Sequence, residues 1–284
     1  MVGGLGIAVL GFLDDHGHIA ARWRLLGHFS AAMWVLYCIG GLAPINIFGF
    51  NDLNLLWVGH ILAVFYIVWV LNLYNFMDGI DGLASVEAIC ACVGIGVIYA
   101  LLGYAQELFL PLTLALAVGG FLIWNFPPAK IFMGDSGSLF LGFVISVVAT
   151  ISLKYIHPIS VFYLAALPIV DTLIVMVRRI RNGKSPFSPD KTHIHHILLN
   201  FFQKKVKKTI FFLILMQSVF SLFGLMLAMN SKDLGTGSGY ATMSLILFIT
   251  ISMLFYMIFT GMKRRQNLIE KLALRRSRNK IKRE

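Results

Sequence analysis

Four short segments of this chain concentrate carboxylates, amides and imidazoles at spacings that suit divalent cations and phosphate. The first, GFLDDHGHIAARWRLLGH, holds Asp14 and Asp15 side by side. Adjacent carboxylates repel, and a cation or a phosphate-binding partner relieves the repulsion. Arg22 and Arg24 offer plain neutralisation as the alternative. The second, NLYNFMDGIDGLA, places Asn72 and Asn75 three apart and Asp78 and Asp81 three apart. At that spacing each pair shares one face of a helix. Gly79 and Gly82 let backbone or ligand approach closely. Two carboxylates and two amides suit a hard cation or a nucleotide, with helix capping as the competing use.

The third segment, NFPPAKIFMGDSGSLFLGF, opens on Asn125 and carries Asp135 just before Ser136-Gly137-Ser138. The start of a helix exposes free N–H groups and a positive dipole end, which favour phosphate; an N-cap role explains Asp135 alone. The fourth, SPFSPDKTHIHHILL, holds Lys191 and the cluster His193, His195 and His196. Three imidazoles suit a transition metal, or hydrogen bonds to a sugar or phosphate with Lys191 close by.

The elements that must position these residues are membrane helices. Of 284 residues, 58% are hydrophobic and 13% are charged, and mean hydropathy is +0.81. Soluble domains run near 45–50% apolar and about 25% charged. The apolar runs are long and continuous, without the ten-residue alternation of a barrel, so an all-α, polytopic helix bundle is expected. Eight full spans are predicted, at about 26–43, 55–74, 83–101, 108–126, 138–153, 158–177, 209–229 and 240–261. Residues 2–13 are too short to cross and read as the last half of a helix whose beginning precedes Met1. The expected division is a transmembrane domain over 1–261 and a basic tail over 262–284.

Net charge is +11. With the Asp14 segment inside and the spans alternating, every Lys and Arg except Lys154 and Lys232 falls on one side. The positive-inside rule makes that side cytoplasmic. Topology and anionic lipid thus account for the basic balance, and no nucleic-acid partner is expected. Cys38, Cys90 and Cys92 all fall within spans and read as packing thiols. Asp171 and Glu87 also fall within spans. A charge near mid-span costs about 2.5–3.5 kcal/mol, so each is expected to have a partner.

The order DD, N-x-x-N-x-x-D-G-x-D-G-L-A, F-M-G-D-S-G-S and H-I-H-H, all on predicted cytoplasmic loops, resembles the polyprenyl-phosphate N-acetylhexosamine-1-phosphate transferase family. The match runs from about Gly3 to Phe201. The resemblance implies a bacterial inner-membrane enzyme with its active site facing the cytoplasm. It would transfer sugar 1-phosphate from a UDP-N-acetylhexosamine to undecaprenyl phosphate, release UMP, and start O-antigen or other envelope polysaccharide. Mg²⁺ is the implied cofactor, with Mn²⁺ as a substitute, and a homodimer is a further expectation. By motif, Asp135 would be a metal ligand supported by Asn75. Asp14 or Asp15 would position or deprotonate the lipid phosphate. Asp78 and Asp81 would shape the nucleotide or metal site, with Asn72 and Asn125 on the substrate side. Lys191, His193, His195 and His196 would contact the sugar-phosphate end. The phrase around Asp14 looks most like O-antigen initiators, some of which take 6-deoxy donors such as UDP-FucNAc or UDP-QuiNAc. Family members carry further helices and a basic, Gly-rich loop at the N-terminus, so a truncated and inactive transferase is one alternative reading.

Other classes fit less well. A cation or substrate transporter would place such residues near the midplane and often show a repeat. A CDP-alcohol phosphotransferase would carry DGxxAR where this chain has DGIDGLAS. A zinc hydrolase would be expected to carry an HExxH helix.

Overall fold

The computed structural model describes residues 2–17, 19–47, 50–181, 183, 193–230 and 261. Among these are ten helices: α1 (Val2–Gly17), α2 (Ala21–Cys38), α3 (Leu56–Met77), α4 (Leu83–Leu102), α5 (Phe109–Asn125), α6 (Gly134–Ser152), α7 (Pro158–Leu164), α8 (Ala166–Arg181), α9 (Ile194–Phe201) and α10 (Val206–Asn230). A short antiparallel hairpin, β1 (Ile45–Ile47) and β2 (Phe50–Leu53), joins α2 to α3, with Ile45 opposite Leu53. The protein is therefore a polytopic helical membrane bundle with one small hairpin.

Among the described residues the predicted spans are recovered in part, and one of them is discontinuous. Four helices, α3, α4, α6 and α10, are long and apolar enough to cross a bilayer, and the pair α7–α8 makes a fifth if counted as one span. Helix α5 is apolar but only 17 residues long. The span expected at 26–43 is displaced, because α2 already begins at Ala21 and takes in Arg22 and Arg24. The expected span 240–261 and the tail 262–284 lie outside the described residues.

The span expected at 158–177 is broken: α7 and α8 meet at 83°. Pro168 has no N–H to return to the carbonyl of Leu164. Gln217 of α10, which is 0% exposed, supplies what the break removes. Its Nε2 donates to the carbonyls of Leu164 at 2.8 Å and Tyr163 at 3.2 Å, and its Oε1 accepts the Leu167 N–H at 3.2 Å. Inside lipid no water can perform that repair, so a neighbouring helix must.

Helix α6 lies at the centre, packed on α1, α3 and α4, while α4 also carries α5 and α10. In lipid, helices associate through close packing of small residues more than through hydrophobic expulsion. Gly142 of α6 shows this: a Cβ there would stand 2.8 Å from the Cα of Leu71 and from the Cβ of Tyr74. The main core joins Val70, Tyr74, Leu83, Ile145, Tyr163 and Met216. Trp57, Phe109, Ile123 and Phe211 face outwards and exposed, as lipid-facing apolar side chains do. The three cysteines are free thiols, and Cys92 is buried, whereas Cys38 is exposed at the end of α2 and does not pack as expected.

Candidate active site

The end of α1 meets the start of α6. Gly11 lies directly against the backbone of Asp135 and Ser136, and the Ser136 hydroxyl donates to the Ala8 carbonyl at 2.9 Å. This crossing brings Asp15 over the first turn of α6. Its two carboxylate oxygens accept the backbone N–H groups of Asp135 at 3.0 Å and Ser136 at 3.2 Å. Asp15 is thus a cap supplied by another helix: it satisfies two free donors and places negative charge at the positive dipole end. Gly134 opens α6 at φ +63°, and a Cβ there would stand 2.9 Å from Asp15 Oδ2. Both the backbone angle and the space require glycine.

Asp14 points elsewhere. It accepts the Ile19 N–H at 2.7 Å and pairs closely with Arg24. The Arg24 guanidinium also lies 3.5 Å from Asp135 Oδ2. One cation therefore bridges the first and third motifs, and Asn75 of the second shares a cavity with Asp135.

Beside these contacts opens a cavity of about 300 Å³ lined by Asn75, Asp78, Asp81, Asn125, Asp135 and Ser138 among others. It lies where α3 and α5 end and α4 and α6 begin. Asp78 follows α3, and its carboxyl is pushed up to about 7, first by burial and then by repulsion from Asp135 and Asp81. Asp81 is half committed, since its Oδ2 accepts the Ala129 N–H at 3.0 Å and ties the turn to the FPPAK loop. Asn125 is 2% exposed, and its amide is used as a bridge. Its Oδ1 accepts from the Gly82 N–H and the Ser85 hydroxyl, and its Nδ2 donates to the Ile131 carbonyl. Asn72 does not line the cavity. It donates to the Val68 carbonyl at 2.7 Å and lies 3.3 Å from His28 Nδ1.

The histidines divide. His196 does not line the cavity itself but lies beside Gly79, which does, with Cε1 3.9 Å from where a Cβ would be. His193 and His195 are buried and face Asp171, the partner that this mid-span acid was expected to have. Glu87 is buried on α4, and among the described residues its Oε2 meets no hydrogen-bond partner, so the partner expected for it is not found there. Lys191 lies outside the described residues. Motif reading did not assign Ser138 to the cavity or a capping role to Asp15, because neither use leaves a local signal. Arg24 was visible as a charge near Asp14, but not as a link to Asp135.

The crowded carboxylates fit a hard divalent cation. Asp78, Asp81 and Asp135 repel one another across one small cavity, and carboxylate and amide oxygens are the donors such ions take.

Fold and cavity together define a polytopic membrane protein with an anionic, oxygen-lined site at the ends of its helices. Residues 1–153 match the family model described as glycosyl transferase family 4, and the chain belongs to that family. It is 36% identical over 205 residues to a probable undecaprenyl-phosphate N-acetylglucosaminyl 1-phosphate transferase of Bacillus subtilis, covering 70% of this chain and 57% of that protein. It is 36% identical over 228 residues to a decaprenyl-phosphate N-acetylglucosaminephosphotransferase of Mycolicibacterium smegmatis (70% and 55%). It is 30% identical over 222 residues to an undecaprenyl-phosphate alpha-N-acetylglucosaminyl 1-phosphate transferase of Thermotoga maritima (76% and 66%). The aligned region thus spans 55–66% of the length of these relatives.

Proposed function

We propose that the protein transfers N-acetylglucosamine 1-phosphate from UDP-N-acetylglucosamine to undecaprenyl phosphate, releasing UMP at the cytoplasmic face of a bacterial inner membrane. The observation that carries this reading is the convergence of Asn75, Asp78, Asp81 and Asp135 on one cavity at helix ends, with His196 beside it. The names of the relatives support the acceptor and the sugar. The placement of nearly all basic residues on one predicted side supports the orientation. The product would begin an envelope polysaccharide such as O-antigen, and 6-deoxy donors such as UDP-FucNAc are the competitors to test.

A phosphate oxygen of the lipid attacks the β-phosphorus of the nucleotide sugar. The bond from that phosphorus to the bridging oxygen breaks, and UMP leaves. Such a transfer rests mainly on positioning and charge neutralisation. A phosphate monoester has its second pKa near ~6, so the nucleophile is mostly ionised at neutral pH. No strong general base is then needed. The commitment of Asp15 to the α6 backbone and of Asp14 to Arg24 supports positioning over proton abstraction. Asp135 and Asn75 are the assigned metal ligands, with Asp78 and Asp81 beside them. Mg²⁺ held there would supply the charge neutralisation that the diphosphate donor and the departing UMP require.

Membranes containing the full-length protein should release UMP from UDP-N-acetylglucosamine when undecaprenyl phosphate and Mg²⁺ are present. Chelation should stop the reaction, and added Mg²⁺ should restore it. Asp135→Ala should lower turnover by about 100-fold or more, the scale of losing several kcal/mol of electrostatic stabilisation. Full activity in that variant would overturn the metal assignment, and absence of lipid-linked product with every UDP-sugar tried would overturn the function.

A further inference from the structure

Behind the cavity, Asp171 and the H-x-H-H segment form a second polar cluster. Asp171 lies within α8 and is 5% exposed. An acid at such a position is stabilised only if both oxygens are engaged. Oδ1 accepts the backbone N–H of Ile194 at 2.8 Å. Oδ2 lies 3.1 Å from Nδ1 of His193 and 3.7 Å from Nδ1 of His195. A carboxylate only accepts, so Nδ1 of His193 carries the proton, and the ring orientation is fixed by that bond. The two rings stack with centroids 5.4 Å apart. Among the described residues, the other nitrogen of His195, Nε2, is buried without a hydrogen-bond partner, and its Nδ1 faces Asp171 at longer than hydrogen-bond range.

These contacts all act on the first turn of α9. Ile194 is its first residue, and His193 at the N-cap makes no side-chain capping bond. Asp171 therefore caps α9 from a different helix, hydrogen-bonds the N-cap ring of His193 and lies within ion-pair reach of His195. His196 comes next. Its ring centroid lies 4.3 Å from that of His195, and it stands beside Gly79. The cluster thus fixes where α9 begins, and His196 is the residue that this start sets against Gly79 at the edge of the cavity.

We propose that Asp171 is a positioning residue, whose carboxylate clamps the start of α9 through Ile194, His193 and His195 and so sets His196 against the cavity wall at Gly79. The inference rests on reading the cavity as the sugar-nucleotide site. A transition metal held by Asp171, His193 and His195 is the competing account, since they offer ligand atoms within 4.8 Å of one another. The hydrogen-bond account is favoured because both Asp171 oxygens are engaged without an ion, and the 3.1 Å contact has hydrogen-bond length.

The test uses the full-length protein in detergent, with Asp171→Ala, Asp171→Asn, His196→Ala and the double variant Asp171→Ala/His196→Ala. Displacing a substrate-facing group costs up to about 100-fold, so Asp171→Ala should lower kcat/KM by about 10- to 100-fold. The double variant should be no worse than His196→Ala within about twofold, the non-additivity expected when one residue acts through the other. Hydrogen exchange of amides 194–201 should speed by at least about tenfold in Asp171→Ala while α3 and α6 keep their protection. Asp171→Asn keeps an oxygen for the Ile194 N–H and should fall between; it carries the same comparison where the alanine variant does not accumulate. Additive losses, unchanged exchange in 194–201, or one zinc per chain that Asp171→Ala removes would each overturn the proposal. Should the wild-type protein turn over no UDP-sugar, the functional reading fails, and the exchange comparison still decides the clamp.

Discussion

Single residues in this cavity carry charge under different constraints, and those constraints predict how each responds to change. Asp78 is the clearest case. Its folded pKa, near 7, lies above the ordinary carboxylate value of about 3.9. Between these values the folded protein holds a proton that the unfolded chain releases. Its ionisation therefore lowers stability as pH rises from about 4 to about 7, with no further loss above. A bound cation competes with that proton, so Mg²⁺ affinity should climb through about pH 6–8, and Asp78→Asn should flatten the rise. Titrating Mg²⁺-dependent activity at several pH values checks this. Gly134 gives a second prediction. Alanine at φ +63° costs about 1–2 kcal/mol, and its methyl would press on Asp15. Gly134→Ala should lower unfolding stability by that amount and turnover by more than about tenfold. Spacing made the acidic residues legible in the sequence, because Asp, Asn and Gly recur at intervals that chemistry uses. What each side chain does was less legible. Asn125 and Asn72 have the residue type of ligands, yet the Asn125 amide bridges the backbone of neighbouring segments and the Asn72 amide donates one turn back within α3. An amide suits both uses, and only tertiary placement separates them.

At the scale of elements, the broken pair α7–α8 is held by one amide on α10. Gln217→Leu removes the hydrogen bonds that the Leu164 and Tyr163 carbonyls accept and that the Leu167 N–H donates in a water-free interior. The expected cost is about 1–3 kcal/mol per unsatisfied group, read as a lowered unfolding midpoint in detergent, with α8 exchanging faster than α3. Hydropathy runs on through this region because it registers apolarity, and both halves of the pair are apolar enough. Pro168 was visible as a break signal, but its repair lies 49 positions away, on another helix. The same blindness displaced α2. Arg22 and Arg24 look wrong for a membrane helix, yet they sit in its first turns, where long cationic side chains reach the polar boundary. Helices α3, α4, α6 and α10 were legible because uninterrupted apolar runs of about 20 residues admit few other structures.

For the whole molecule, the arrangement makes a claim about sidedness. Lys130 and Lys154 flank α6, whose 19 residues measure about 28 Å at 1.5 Å per residue. In a background with Cys38, Cys90 and Cys92 replaced, Lys130→Cys and Lys154→Cys should react with an impermeant thiol reagent from opposite faces of the membrane. Labelling of both from one face would refute the topology. The tie between Asp15 and the start of α6 has a temporal consequence as well. The two ends of that bond are 120 positions apart. At roughly 5–20 residues per second, the ribosome delivers the second partner about 6–24 seconds after the first. Throughout that interval, two neighbouring carboxylates wait in water while the four intervening helices, α2 to α5, are made. The cavity is consequently a product of late insertion: a nascent chain arrested before α6 emerges holds every residue of the first two motifs and none of their working geometry.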